Sequence, residues 1–526
     1  MIPPAATVTP TDPAKQRAAR GQQVFGILLG LYALILYPIL RADRPYNDDL
    51  KRALSGRASW DSNGRPLTTL LMRALQCYDH AMVDISPLTQ IGAVAVLALI
   101  GAMLARRHAI GPAWLAALVA FPLGAQPFFL ENLSYKFDAL SMCLAMLLAL
   151  LPLLRCDHGR RDWWLGVLAL FGSLNLYQPA INVYLVFMLL QLVLMQLDDA
   201  PARALAAMAA RRVAQAVTAM LIYQLVVGIH ISGWVRHQAE PIHSWRELPL
   251  LARNFENFYG LVGAGFNRHW WLYFAPLLLV LAALPLLVGV RHALRQRTLQ
   301  PRWVVVLLAC VSVLMPLAAM VCALGPMLVL RQPEMYPRVL IGLGALLCAG
   351  LVLMQAALRR WGRSQRWTLA AGAMLALGMA VLASAYGNAM TAQKIYEQHI
   401  AARLLDDLAT LPPVDGLVVD GSAGYAPLAR HVVDELPLMR SLVPIYLIDS
   451  DPFNTRNFLM YYVPELVDPL QPRITQIWDR RAALAAETCA MKPRAITAAY
   501  RLYLVGNIAV VRLRANPSVV CPGVAG

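Results

Sequence analysis

The sequence predicts a mainly α-helical protein that crosses a membrane many times and carries a small α/β domain at its C-terminal end. Three observations predict this fold class. Of the 526 residues, 59% are hydrophobic and only 14% are charged, whereas soluble proteins carry about a quarter charged residues. Long apolar runs recur up to residue 386, and a helix needs about 20 apolar residues to cross a bilayer. Beyond residue 387 the apolar runs shorten and polar residues return.

We predict eleven membrane spans after a disordered cytoplasmic lead over residues 1–22. The lead is rich in Pro, Ala and Thr, and no signal-peptide cleavage site follows the first span. The spans lie near residues 23–40, 86–105, 109–130, 138–154, 163–176, 180–197, 213–233, 270–290, 303–330, 339–358 and 368–386. The apolar run 163–197 is interrupted by Tyr177-Gln178-Pro179, and we interpret it as two short spans. A single broken helix would reduce the count to ten.

The distribution of Lys and Arg sets the orientation, since these residues concentrate in cytoplasmic loops. With the N-terminus inside, the inner segments hold nineteen of them and the outer loops before residue 387 hold fourteen. Seven of those fourteen lie in the first outer loop, residues 41–84. This loop breaks the charge rule, and positions that break a general rule are where function is expected.

Residues 387–526 predict a small α/β domain on the outer, periplasmic face. Residues 390–410 have the pattern of a helix, and Gly416–Gly421 has that of a buried strand. Tyr500–Val505 and Ile508–Arg512, joined by Gly506-Asn507, are typical of a hairpin. The placement follows from the odd number of spans, and ten spans would move the domain inside.

The net charge of +16 and the eight cysteines further restrict which class of protein this can be. The basic residues form short groups between apolar runs, which is the pattern of loops beside membrane helices, so we predict no nucleic-acid partner. No CxxC pair supports a zinc or redox site. Cys489 and Cys521 can form a disulfide if their region lies outside the cytoplasm, or they can remain free.

The first outer loop contains the densest group of chemically active residues. Asp48 and Asp49 are adjacent carboxylates near the membrane surface, where one pKa is expected to rise as suits a general base. Lys51, Arg52, Arg57 and Arg65 can pair with them or bind a phosphate. The alternative is a solvated loop with mutually neutralised charges. Residues 64–78 predict an interfacial amphipathic helix with Leu67, Leu70, Leu71 and Leu75 on one side.

Three further segments offer candidate substrate contacts. Glu131, Lys136 and Asp138 form either a wall of a substrate cleft or charges that extend from helix ends into water. Tyr177 and Gln178 offer an aromatic face and an amide, which suit a sugar, or they belong to an interfacial aromatic belt. Arg331 and Arg338 can grip a phosphate, or Arg331 forms a surface pair with Glu334. His237, His243 and His269 match no metal-ligand spacing and are interpreted as interfacial.

Taken together, the segments of the first outer loop resemble the GtrII-type glucosyltransferases, bacterial and phage membrane enzymes that modify O-antigen. The resemblance is carried by Tyr46-Asn47-Asp48-Asp49, then Trp60, Gly64-Arg65-Pro66-Leu67 and Asp84-Ile85-Ser86-Pro87-Leu88. It is densest over about residues 45–90. It extends more weakly through Leu176-Tyr177-Gln178-Pro179 and the Arg338 loop, and it does not reach the C-terminal region.

The resemblance implies a GT-C-like architecture and a sugar donor linked to a polyprenyl phosphate, such as undecaprenyl phosphate. It implies Asp48 or Asp49 as the catalytic carboxylate, in a site that includes Tyr46, Asn47 and Arg52. Arg65, Lys136 and Arg338 become candidate phosphate contacts. We expect inverting transfer of a hexose, glucose in the family, to O-antigen or another surface glycan, with an Asp base. The metal requirement stays open: no cofactor is certain, and a divalent metal is compatible with the paired aspartates.

Two other functions fit the composition. A transporter or flippase of lipid-linked saccharides would predict ionisable residues near mid-membrane and internal repeats, whereas most charges here lie at span ends. A non-catalytic envelope assembly protein is separated from an enzyme only by a measurement of turnover.

Overall fold

The computed structural model describes residues 13–77, 81–155, 159–238, 240–519 and 521. Up to residue 264 its helices are α1 (Pro13–Ala42), α2 (Asp48–Ser55), α3 (Pro66–Gln76), α4 (Leu88–Arg107), α5 (Ala113–Ala120), α6 (Pro122–Ala125), α7 (Phe129–Ser134), α8 (Ala139–Leu154), α9 (Arg160–Leu176), α10 (Ile181–Leu197), α11 (Ala202–Val226), α12 (Gly233–Gln238) and α13 (Pro249–Ala264). Short 3-10 helices cover Asp61–Asn63, Gln178–Ala180, Gly228–His230 and Trp245–Glu247.

The second half of the chain contains the longest helices and the sheet. Its helices are α14 (Arg268–Gln296), α15 (Arg302–Leu324), α16 (Ile341–Arg360), α17 (Arg366–Leu408), α18 (Pro427–Glu435), α19 (Met439–Leu442), α20 (Pro452–Leu459), α21 (Pro464–Val467), α22 (Pro472–Asp479) and α23 (Arg481–Glu487). The strands are β1 (Gly416–Asp420), β2 (Ala495–Ile496), β3 (Tyr500–Val505) and β4 (Ile508–Leu513). Further 3-10 helices cover Gly325–Val329, Pro337–Val339 and Thr488–Ala490.

Eight helices within the described residues are long and apolar enough to cross a membrane, so the chain is a membrane protein. They coincide with eight of the eleven predicted spans. The other three predicted spans are helical but shorter: Ala113–Ala125 and Ala139–Leu154 are short apolar helices, and α9 has 17 residues. The number of helices that cross the bilayer therefore stays a prediction.

Proline divides the span predicted over 109–130. The structure has α5, α6 and α7 there rather than one helix, and Gln126 before Pro127 has ψ 144. Proline clashes with helical geometry at the preceding residue and pushes it to extended backbone. The segment thus ends as a short helix, α7, that brings Glu131 to the end of the bundle.

The apolar run 163–197 forms two helices that reverse direction at Tyr177, as predicted. Trp163 in α9 donates to the carbonyl of Arg211 in α11 at 3.3 Å. Just past the other end of α9, Gln178 donates to the hydroxyl of Tyr223 in α11 at 2.9 Å. Helices α9 and α11 are therefore parallel. Helix α10 runs in the opposite direction and leads back to the start of α11.

Two boundary predictions were wrong. The helix predicted over 390–410 is the end of the 43-residue helix α17, which continues from the last predicted span without a break. Gly387 lies where α17 meets Pro38 of α1, and an added Cβ would overlap the proline, so glycine permits this close approach. Helix α1 begins at Pro13, so residues 13–22 are helical rather than disordered. The rest of the lead lies outside the described residues.

The C-terminal sheet has the strand order β1-β4-β3-β2. Strands β3 and β4 form the predicted antiparallel hairpin, with Tyr503 opposite Val510, and β1 pairs in parallel with β4. Leu417, Leu502 and Val511 in these strands are buried, which explains the apolar pattern. A disulfide joins Cys489 to Cys521, with Cα atoms 5.3 Å apart, as one of the two alternatives predicted.

Loops gather at the two ends of the helix bundle. At one end, called the basic end, Arg20 donates to the carbonyl of Ile110 and Arg359 donates to that of Ala109. Arg295 and Arg360 pair there with Asp199. The opposite end, called the site end, brings together residues 43–77, 81–87, 126–138, 176–178 and 331–338. The C-terminal sheet region packs against the site end.

Candidate active site

The two adjacent aspartates begin helix α2 and have opposite surroundings. Asn47 precedes the helix with φ 45, a left-handed conformation that asparagine tolerates better than most residues. Successive helical side chains diverge by about 100°. The Asp48 side chain is 44% exposed, whereas Asp49 is fully buried. The chain therefore places one carboxylate at the surface of the site and the other beneath it.

Asp49 is held by backbone groups. Its Oδ2 accepts hydrogen bonds from the N–H of Lys136 at 2.8 Å and of Tyr46 at 3.3 Å. Its Oδ1 has no hydrogen-bond partner among the described residues. Burial is the main cause that raises the pKa of Asp49 to about 8, and the charge of Asp138 adds to it. The carboxyl group is thus neutral at pH 7, with Oδ1 free to carry the proton.

Asp138 is the centre of the polar contacts beside Asp48. It accepts hydrogen bonds from Arg52 and from Trp60 Nε1, each at 2.8 Å, and from Arg65 at 3.4 Å. The guanidinium of Arg52 also lies 3.7 Å from Asp48 and stacks over the Trp60 ring at 4.5 Å. Arg52 is therefore shared between the buried carboxylate of Asp138 and the exposed carboxylate of Asp48.

The Gly64-Arg65 turn packs against the end of α9 and against α11. Gly64 has φ +74, and an added Cβ would overlap the Tyr223 hydroxyl, so only glycine fits without strain. Arg65 donates to Gln178 Oε1 at 3.2 Å. Its guanidinium lies 4.9 Å above the centre of the Tyr177 ring. The predicted residues Arg65, Tyr177 and Gln178 are thus in direct contact.

Arg338 approaches the same place from the loop before α16. It donates a side-chain hydrogen bond to the Tyr135 hydroxyl, and Tyr177 donates to its carbonyl at 2.8 Å. Its backbone N–H donates to Glu131 at 2.8 Å. Burial raises the pKa of Glu131 to about 7, against the lowering effect of Arg338. The Arg338 side chain is 17% exposed and pairs with Glu334 at 2.9 Å.

Lys136 is occupied by two carboxylates. Its ammonium lies 2.6 Å from Asp43 and 3.1 Å from Asp84. A cavity of about 300 Å³ lies beside it, lined by Ile39, Leu40, Asp43, Arg44, Ser86, Pro87, Gln90 and Ser134 together with Lys136 itself. Lys136 therefore joins the two ends of the first outer loop, and its backbone supports Asp49.

Arg331 is not brought into this group. Its guanidinium pairs with Glu240 at 3.0 Å and with Glu247 at 2.8 Å, rather than with Glu334. It ties the loop before α16 to the long loop between α11 and α13. The amphipathic helix predicted over 64–78 is α3, where Leu70 and Leu75 are exposed.

The C-terminal region holds the segment that leads into α2. The Tyr446 hydroxyl accepts from the N–H of Asn47 at 3.0 Å and donates to the carbonyl of Pro45 at 2.7 Å. Tyr46 donates to the carbonyl of Leu442 at 3.0 Å. Leu50 on α2 is buried in the same apolar cluster as Leu417 and Val510 of the sheet. The acidic helix is therefore packed between the bundle and the C-terminal region.

The described residues contain no group of three or more His, Cys, Asp or Glu side chains that could hold a metal ion. Asp48 and Asp138 are instead linked through Arg52. The arrangement offers the partly exposed carboxylate of Asp48 and two arginines, Arg65 and Arg338, that lie around Tyr177. These groups suit proton transfer and the binding of a phosphate.

The model of the glucosyl transferase GtrII family matches residues 37–349. This match covers more than half of the chain and includes the whole first outer loop. The chain belongs to the GtrII glucosyltransferase family. An uncharacterized 55.3 kDa protein in the gtrB 5′ region of Salmonella phage P22 is 25% identical over 439 residues, which cover 81% of this chain and 87% of that protein. No solved structure matches this chain. The resemblance inferred from the sequence is confirmed, and the chain is a membrane glycosyltransferase of this family.

Some residues of this GtrII site were not predicted as site residues. Trp60 was noted only as part of the motif, yet it binds Asp138. Tyr135 lies between Asn47 and Arg338, and its hydroxyl accepts a hydrogen bond from the side chain of each. Tyr446 lies beyond the segment 37–349 that the family model matches. Of these residues, the sequence gave an indication only for Trp60, which lies between two charged segments of the first outer loop.

Proposed function

We propose that this GtrII protein transfers a hexose from a polyprenyl-phosphate donor to a surface glycan, with Asp48 as the general base. The exposed Asp48 carboxylate beside Arg52 is the observation that carries the proposal. In the reaction, the acceptor hydroxyl oxygen forms a bond to the anomeric carbon of the donor. The bond from that carbon to the phosphate oxygen breaks, and the electron pair leaves with the phosphate. The hydroxyl proton passes to Asp48.

Asp48 suits the base better than Asp49 does. A base must be ionised and must reach the substrate. Asp48 is 44% exposed and lies 3.7 Å from the Arg52 guanidinium, so its carboxylate is within reach of a substrate. Asp49 is buried, and its pKa is raised to about 8, so it holds a proton at neutral pH. We assign Asp49, Tyr46 and Asn47 the role of orienting Asp48.

The leaving phosphate is best matched by Arg65 and Arg338. Both guanidinium groups are partly exposed and both lie around Tyr177. Arginine binds phosphate oxygens through two parallel N–H groups, and a fixed cation stabilises the charge that develops on a leaving group. Lys136 and Arg331 are each neutralised by two carboxylates. We therefore propose structural roles for these two residues.

Asp138 and Glu131 orient the two arginines. Asp138 accepts hydrogen bonds from Arg52 and Arg65, and Glu131 accepts from the backbone of Arg338. Gln178 fixes the Arg65 side chain from the other side. The expectation that Glu131, Asp138, Tyr177 and Gln178 contact the sugar directly becomes a proposal that they shape the cleft around it.

The proposed location is the periplasmic face of a bacterial inner membrane. Arginines dominate the basic end of the bundle, as expected of the cytoplasmic side. The disulfide between Cys489 and Cys521 lies in the region packed against the site end, and disulfides persist in oxidising compartments. Both observations support a site end that faces outward, with O-antigen as the acceptor class and undecaprenyl phosphate as the donor's carrier.

The test is transfer by the purified protein in liposomes. Undecaprenyl-phosphate glucose with a radiolabelled sugar is supplied together with lipopolysaccharide from a strain that lacks this gene. The expected product is labelled lipopolysaccharide whose new linkage has the anomeric configuration opposite to the donor's. The proposal is wrong if label crosses the bilayer on the lipid carrier without any covalent transfer. That result would indicate a flippase.

A further inference from the structure

Two exposed aromatic side chains lie near the segment that carries Asp48. Phe453, in the first turn of α20, is 47% exposed, and Tyr336, in the loop before α16, is 49% exposed. A membrane-interface belt accounts for exposed tyrosines at helix ends. It does not account for Phe453, which belongs to the C-terminal region beyond the last predicted span. The two rings come from different parts of the chain, and each lies beside a basic residue of the candidate site, Phe453 beside Lys51 and Tyr336 beside Arg338.

Phe453 lies beside the acidic helix α2, in a helix turn that is held by an N-cap. Pro452 begins α20, and the Asp451 side chain accepts from the N–H of Asn454 at 3.1 Å. Such an N-cap fixes the first turn of a helix. The ammonium of Lys51 lies 5.7 Å from the centre of the ring. Lys51 is three residues after Asp48 in α2, so the two side chains lie on the same face of that helix. The Phe453 ring therefore lies beside the helix face that carries the proposed base.

Tyr336 approaches the same segment from the loop before α16. The guanidinium of Arg338 lies 4.8 Å from the centre of its ring, and Pro337 follows it at the start of a 3-10 helix. The same guanidinium donates to the Tyr135 hydroxyl, which also accepts from the side-chain amide of Asn47 at 3.5 Å. Tyr336 is thus linked through Arg338 and Tyr135 to the residue before Asp48, whereas Phe453 reaches the same helix at Lys51.

This surface has the chemistry of a saccharide site. A pyranose ring has apolar C–H faces and hydroxyl edges, and ligand sites typically combine aromatic walls with a few polar groups. Asp48 and Lys51, on the helix that both rings approach, supply hydrogen-bonding groups beside them.

We propose that Tyr336 and Phe453 form the binding site for the acceptor saccharide, whose sugar rings stack on these two side chains and present a hydroxyl group to Asp48. This inference rests on the proposed glycosyl transfer. It assigns a specificity role to the C-terminal region, since Phe453 lies outside the segment 37–349 that the family model matches.

The test uses the full-length protein and the variants Tyr336→Leu, Phe453→Leu and the double variant. Leucine keeps an apolar side chain and removes the flat ring, and equal thermal midpoints establish that the variants fold. Trp245→Leu is the matched control, because Trp245 is 85% exposed in a different loop. We expect the acceptor KM of the double variant to rise by about tenfold or more, with donor KM unchanged and no change in the control. An unchanged acceptor KM would overturn the inference and leave the proposed transfer intact.

A binding measurement separates the two proposals. Delipidated surface polysaccharide from the strain that carries the gene is titrated into the Asp48→Asn protein, with and without the double substitution, by isothermal calorimetry. Binding that disappears in the double variant supports the site even where no transfer is measured. Binding of equal strength in both proteins overturns it.

Discussion

The Tyr446 hydroxyl accepts a hydrogen bond of 3.0 Å from the backbone N–H of Asn47. Asn47 immediately precedes Asp48, while Tyr446 lies in the C-terminal region. The same hydroxyl donates to the carbonyl of Pro45 at 2.7 Å. A single side chain of the C-terminal region thus fixes the backbone that leads into the acidic helix, and this connection makes the C-terminal region part of the site.

Tyr446→Phe removes this hydroxyl and keeps the ring. We expect kcat for transfer to fall by about tenfold to a hundredfold, because small displacements of a catalytic group have effects of that size. Acceptor KM should change little. Tyr500→Phe is the control, since Tyr500 donates a buried hydrogen bond to Asp407 at 2.6 Å but does not contact residues 44–47. Equal losses of kcat in both variants would show a loss of stability only.

Asp49 should make stability depend on pH. The pKa of the folded protein's Asp49 is about 8, mainly because of burial, against 3.8 for the model compound. Between these values the folded state holds a proton that the unfolded state has lost. The contribution of Asp49 to the free energy of unfolding is therefore fully present below about pH 4 and is lost as the pH rises to about 8.

Asp49→Asn keeps an acceptor for the two backbone N–H groups and cannot titrate. We expect the thermal midpoint of the unmodified protein in detergent to fall more steeply from pH 5 to 8 than that of the variant. Parallel curves for the two proteins would contradict a buried, neutral Asp49.

Arg65→Lys and Arg338→Lys keep the charge and remove the planar pair of donors. Lysine does not replace arginine where two parallel N–H groups bind a phosphate. We expect each substitution to raise the donor KM by about tenfold, equivalent to one lost hydrogen bond to a charged group. Arg331→Lys is the matched control and should leave donor KM unchanged. A rise in the control alone would move the phosphate site to the Arg331 loop.

The outward orientation can be tested with a native cysteine. Cys77 is exposed at the end of α3, in the first outer loop. A membrane-impermeant maleimide added to intact spheroplasts should label it, and Cys77→Ser should remove that label. Labelling of Cys77 only after the membrane is permeabilised would place the site end in the cytoplasm.

Much of the fold could be predicted because the bilayer and the sheet impose strong patterns. Apolar runs predicted every described helix that is long enough to span a membrane. Gly506-Asn507, between two runs of strand-forming residues, predicted the hairpin. Boundaries were harder to predict. A helix that leaves the membrane keeps its backbone hydrogen bonds in water, so the change in composition near residue 387 did not end α17.

The candidate site was predicted in part. The residue types and the loop were identified, but two features depend on tertiary packing. Which of two adjacent aspartates is buried depends on what packs against α2, and Leu50 points into a core that forms more than 350 residues later in the chain. The partners of Lys136 and Arg331 likewise come from distant loops. The net charge of a segment does not show which of its basic side chains are already paired with carboxylates.

The catalytic role of Asp48 is tested most directly by comparing Asp48→Asn with Asp49→Asn in the liposome transfer assay. Both proteins should fold and insert, as judged by thermal midpoint and yield. We expect Asp48→Asn to lower kcat by about a hundredfold or more, and Asp49→Asn to lower it much less. Full transfer by Asp48→Asn, together with loss of transfer in Asp49→Asn, would contradict the account.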